Sequence, residues 1–91
     1  MFFLPSIFVI KLNQVESKII DRLIQDTSRK NIKSFNISHY AKVFDINPAL
    51  FEKTINYLEE IYLLKKHGEA YTWGDNKPFL RKEKQSYYLH L

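Results

Sequence analysis

The sequence predicts a mainly α domain of the α+β class, made of three helices and one short two-stranded β-hairpin, with an extra segment at each end. Three observations lead there. Apolar residues recur at three-and-four spacing in three stretches, each headed by a residue suited to cap a helix. The stretch "LLKKHGEAYTW" places β-prone residues on both sides of a glycine turn. The chain has 91 residues, 45% hydrophobic and 26% charged, enough for one core but too few for a catalytic cleft between two domains.

From Asn13 to about Lys30, apolar residues fall at Val15, Ile19, Ile20, Leu23 and Ile24, which is one buried face of a first helix. Asn13 and Glu16 stand three apart and are placed to satisfy each other's free amides. A longer helix from Pro5 is the alternative, but it would bury Asn13 in a helix interior, where its side chain competes with the backbone. "IKSFN" is β-branched and aromatic, and reads as a short extended segment. Asn36 or Ser38 then caps a second helix, with Tyr40, Ala41 and Phe44 inward and Asp45 at its end. Asn47 as cap and Pro48 at the first position open a third helix to about Ile61, with Phe51, Ile55, Leu58 and Tyr62 as its core stripe. A His67-Gly68 turn closes the hairpin, setting Leu64 opposite Tyr71, with Trp73 two residues on and Lys66 and Glu69 beside the turn.

The tail "GDNKPFLRKEKQSYYLHL" has Asn76 and Pro78 as helix starters, then Leu80, Tyr87, Tyr88 and Leu91 at near-heptad spacing, so a fourth helix is expected. The alternative is a strand, "SYYLHL", paired with "SIFVI" from the N-terminus. The opening "MFFLPSIFVI" falls short of the roughly 20 residues of a membrane span and has no basic residues ahead of its apolar run, as a signal peptide would. It reads as a core strand or a dimer contact.

Helix, short strand, helix, tight turn, helix, hairpin is the order of winged helix-turn-helix domains, and the residues follow it. "NISHYAKVFDINPALFEKTINYLEEIYLLKKHGEAYTW", Asn36 to Trp73, resembles the second helix, recognition helix and wing of that superfamily, in the manner of small transcription regulators. Ala41 matches its small residue at the helix crossing, Ile46 its turn position, and Leu58-Glu59-Glu60 with Leu63-Leu64 its exit into the wing. The resemblance implies a winged helix-turn-helix fold, a three-helix core with a two-stranded wing at 13–73, flanked by the segments 1–12 and 74–91. It also implies double-stranded DNA as partner, with helix 48–61 in the major groove. The residues set to read bases are Asn47, Ala49, Glu52, Lys53, Asn56 and Tyr57. Asn56 suits adenine, Lys53 guanine or phosphate, and Glu52 cytosine, each pairing worth about 1–3 kcal/mol. Ser38, His39 and Lys42 on the second helix and Lys65, Lys66 and His67 on the wing suit phosphates. The competing readings are a solvated helix face, a pair of lysines guarding a strand edge, and a domain of this order that binds protein instead of DNA.

Other chemistry is not signalled. Glycine occurs only at Gly68 and Gly74, which excludes a glycine-rich phosphate loop, and there is neither HExxH nor cysteine spacing for zinc. His39, His67 and His90 are isolated, and adjacent Glu59 and Glu60 diverge by about 100° on a helix. No catalytic residues, metal, cofactor or small-molecule ligand are therefore expected, nor an enzyme. Without cysteine, a reducing cytoplasmic setting is expected. The net charge is +4, and its excess lies late: residues 61–91 carry six Lys/Arg against three Asp/Glu, whereas residues 1–60 carry eight against seven.

The three helices and hairpin use Val15, Ile19, Leu23, Tyr40, Phe44, Phe51, Ile55, Leu58 and Trp73 for their own core. Phe3, Ile7, Phe8, Leu80, Tyr87, Tyr88 and Leu91 are left over, so a homodimer through the two terminal segments is expected. The alternative is that the termini cover each other within one chain.

Overall fold

The computed structural model describes residues 6–29, 33–44 and 46–91. In chain order these form β1 (Ile7–Ile10), α1 (Gln14–Arg29), β2 (Phe35–Asn36), α2 (Ile37–Phe44), α3 (Pro48–Glu60), β3 (Leu64–His67), β4 (Ala70–Trp73), a 3-10 turn (Lys77–Phe79), β5 (Leu80–Glu83) and β6 (Ser86–His90).

Local chemistry accounts for each helix start. At α1 the Asn13 amide donates to Glu16 Oε1 (3.2 Å) and the Glu16 amide to Asn13 Oδ1 (2.8 Å), a reciprocal capping box. Asn36 Oδ1 accepts from the His39 amide at α2, and Asn47 Oδ1 from the Ala49 amide at α3, where Pro48 takes the first turn. α3 ends in a Schellman arrangement: the Tyr62 amide donates to the Glu59 carbonyl and the Leu63 amide to Leu58, with Tyr62 left-handed at φ 61°.

The strands form two antiparallel three-stranded sheets, ordered β2-β4-β3 and β1-β6-β5. Both sheets and all three helices share one core, including Ile19, Ile20 and Leu23 of α1, Phe35 of β2, Phe51, Ile55 and Leu58 of α3, and Tyr87 and Leu89 of β6. Phe35 stands edge-on to Tyr40 and Trp73, with ring centroids 6.1 and 5.4 Å away. The polar groups taken inside are paired. Asp26 accepts from the Tyr40 hydroxyl and from Arg22 Nε at 3.2 Å, and Trp73 Nε1 donates to Thr27 Oγ1 at 2.9 Å. The β1-β6-β5 sheet is pinned to α1 by Asp21, which accepts from the Tyr87 hydroxyl and from Lys82 Nζ at 3.0 Å. Burial, then the bond to Asp26 and its charge, pushes the Tyr40 phenol up to about 12; burial and Asp21 raise Tyr87 as well.

The predicted architecture needs correction. This is not a helical core with a two-stranded wing: β2 joins the hairpin as a third strand, and the two ends of the chain build a second three-stranded sheet. The fourth helix expected in 74–91 is instead a 3-10 turn and the β5-β6 hairpin. Near-heptad spacing of Leu80, Tyr87, Tyr88 and Leu91 misled because, in a strand, Tyr87 and Leu89 form the buried pair while Tyr88 faces the other way. The wing turn is Gly68-Glu69, not His67-Gly68, so His67 pairs with Ala70 and Leu64 with Trp73, not Tyr71. Gly68 at φ 62° takes the first turn position, where the backbone needs it. Tyr62 and Val15 are 53% and 45% exposed, and Ile61 replaces Tyr62 in the core because α3 unwinds before reaching it. Phe3, Lys30 and Asp45 lie outside the described residues.

Candidate nucleic-acid interface

α2 and α3 follow each other with three residues between, and α3 buries Phe51, Thr54, Ile55 and Leu58. At 100° per residue the opposite face is Ala49, Lys53, Asn56 and Glu60, all exposed. Lys53 and Asn56 make no hydrogen bond or ion pair within the described residues, so their polar ends are available to a ligand.

This face is one wall of a groove of about 650 Å³, lined by Ala49, Glu52, Lys53, Asn56, Tyr57 and Glu60 of α3 and by Lys11 and Glu16. Five of the six residues expected to read bases therefore converge here. The sixth, Asn47, spends its side-chain oxygen on capping α3. Tyr57 is half-buried and its hydroxyl accepts from the Lys11 amide at 3.1 Å, tying α3 to the β1-α1 link. Lys11 and Glu16 were not legible as site residues, because only the tertiary fold brings the N-terminal link beside α3. Glu16 also receives the buried Thr54 hydroxyl at 2.8 Å, so the capping box of α1 is tethered to α3. The groove is acidic on balance, with Glu16, Glu52 and Glu60 against Lys11 and Lys53.

A second groove, about 520 Å³, runs between the start of α2 (Asn36, Ile37, Ser38), the start of α3 (Pro48, Phe51, Glu52) and the wing (Lys66, Gly68, Glu69). It gathers Ser38 and Lys66 of the expected phosphate contacts. His39 and Lys42 lie on other faces of α2, exposed, with the His39 ring edge-on to Tyr40. Lys65 turns to a third hollow of about 350 Å³, with Glu59, Tyr62 and Asp75, and His67 is exposed at the end of β3.

The residues expected at a dimer contact are dispersed. Tyr87 is buried and bonded to Asp21, and half-buried Phe8 and Leu80 pack against the chain's own core. Ile7, at 57% exposed, and half-buried Tyr88 remain on the outer side of the terminal sheet, and Leu91, just past β6, is 43% exposed. Among the described residues, no three His, Asp or Glu side chains lie close enough to hold a metal ion, and no helix is long and apolar enough to cross a membrane.

No protein-family model, curated protein or solved structure matches the chain.

Proposed function

We propose that this chain binds double-stranded DNA as a homodimeric, intracellular transcription regulator, acting by recognition and without a catalytic step. The observation that carries the reading is the outer face of α3, where Lys53 and Asn56 stand exposed and unengaged on a helix held at its start by Asn47 and at its end by the Schellman turn. A helix so held enters a major groove about 12 Å wide without distortion. Ser38 and Lys66 flank α3 on the side of the second groove, where their polar ends suit phosphates.

A second reading is favoured by one observation, the acid excess of the groove beside α3. Three glutamates around Lys53 suit a basic protein segment better than a phosphate backbone. Titration of a random duplex at two salt concentrations separates the two. With about three cations per protomer on phosphates, a dimer releases about six counterions and loses roughly 10³-fold in affinity between 50 and 200 mM salt. No binding at low salt refutes the DNA reading and leaves a protein-interaction module.

A further inference from the structure

Among the described residues the terminal sheet ends in two unpaired edge strands, and they differ. β5, at one edge, carries Arg81, Lys82 and Glu83, with Lys84 at its turn: charges of the kind that keep an edge from pairing. β1, at the other, is Ile7-Phe8-Val9-Ile10, with no charge, glycine or proline.

The hydrogen-bond phase of β1 follows from its register. Ile7 pairs with His90 and Val9 with Tyr88, while the Leu91 amide donates to the Ser6 carbonyl at 2.7 Å. Antiparallel pairs alternate between bonded and non-bonded, so Ser6, Phe8 and Ile10 bond inward to β6, and the N–H and C=O groups of Ile7 and Val9 point outward. The Lys11 amide, in the same phase as Val9, also points outward, and it is the one taken by the Tyr57 hydroxyl of α3. That contact stops the open edge just beyond Val9. Among the described residues nothing else accepts or donates to Ile7 and Val9 along this edge, and their side chains are 57% and 46% exposed.

We infer that β1 pairs antiparallel with β1 of a second copy about a two-fold axis through Phe8, joining the two terminal sheets into one of six strands. The occupant is a second copy because the edge is self-complementary. With Phe8 on the axis, Ile7 of one chain faces Val9 of the other and Val9 faces Ile7, so both outward amides and both outward carbonyls of each chain are satisfied by four hydrogen bonds. The same register sets Ile7 against Val9 on the outer face and the two Phe8 rings side by side on the inner face, apolar on apolar at both levels. Tyr57 limits pairing to three residues per strand. The contact therefore falls below the roughly 800 Å² per partner of a standard interface, and the dimer is weak and reversible. This names the surface for the homodimer proposed above, but the pairing itself does not depend on DNA.

The test uses the full chain. Light scattering from about 10 µM to 1 mM should show mass rising from one chain toward two, and amide exchange at Ile7 and Val9 should slow severalfold over that range, in step with the fall in monomer fraction. Phe8 and Ile10 amides, already bonded to β6, should not change. Val9→Pro removes one outward N–H that β6 does not use, which an edge strand tolerates, and should leave a monomer at 1 mM; Val9→Lys should do the same if the proline variant folds poorly. A chain that is monomeric at 1 mM, a Val9→Lys chain that still dimerises, or concentration-dependent protection lying elsewhere overturns the inference. A chain that dimerises through β1 yet binds no DNA refutes the DNA reading alone, and one that binds DNA as a monomer at 1 mM refutes the strand pairing and the homodimer but leaves DNA recognition standing.

Discussion

Gly74→Ala places a methyl group where the fold has no room. A Cβ at Gly74 meets the Tyr62 carbonyl oxygen at 2.4 Å, the Tyr62 carbonyl carbon at 2.9 Å and the Leu63 carbonyl carbon at 3.2 Å, all of them backbone. Ordinary contact begins near 3.4 Å, so the strand exit and the end of α3 must part by about 1 Å. That segment is held by three hydrogen bonds: the Gly74 amide to the Leu63 carbonyl (2.8 Å), the Asn76 amide to Tyr62 (3.0 Å) and Asn76 Nδ2 to Ile61 (2.8 Å). A 1 Å separation carries all three past useful length. At about 1 kcal/mol net for each, the expected loss is about 3 kcal/mol. For a domain of this size that corresponds to a fall in Tm of roughly 12–24 °C. Thermal and urea unfolding followed by circular dichroism measure it, with Asp75→Ala, at an exposed neighbour, as the control expected to stay within about 0.5 kcal/mol. A loss under about 1 kcal/mol for Gly74→Ala, or an equal loss for Asp75→Ala, would refute the close-approach argument.

Lys84, at the β5-β6 turn, has φ 57° without being glycine; Lys84→Gly should raise stability by about 1 kcal/mol in urea unfolding, and any decrease counts against strain at that turn. The folded pKa of Tyr40 is raised from 10 to about 12, so the protein binds its phenolic proton more tightly than the unfolded chain does. The resulting stability is complete below pH 10 and disappears as pH climbs to about 12, and a stability–pH curve that Tyr40→Phe leaves unaltered across that window would be inconsistent with it. On DNA, Lys53→Ala with Asn56→Ala should relax sequence preference, whereas Lys65→Ala with Lys66→Ala should weaken all duplexes alike; equal, sequence-independent losses in a competition assay would show that α3 does not read bases.

Helix starts were legible in this sequence because capping is local: Asn13 with Glu16, Asn36, and Asn47 with Pro48 act within one turn of chain, and each does so in the structure. The outer face of α3 was legible for the same reason, since a helix repeats every 3.6 residues whatever surrounds it. Tertiary structure decided the rest. "SYYLHL" fits a helical and an alternating pattern equally well; pairing with β1, some eighty residues away, and the bond from Tyr87 to Asp21 select the strand. The wing turn moved by one residue, and the partner of Leu64 by two, because only Gly68 accepts the positive φ of the first turn position at low cost. Lys11 and Glu16 reached the groove beside α3 through contacts to Tyr57 and Thr54, 46 and 38 residues distant in sequence. Sequence periodicity reports which face of an element is apolar, but which distant segment covers that face depends on packing between elements, and no local pattern encodes it.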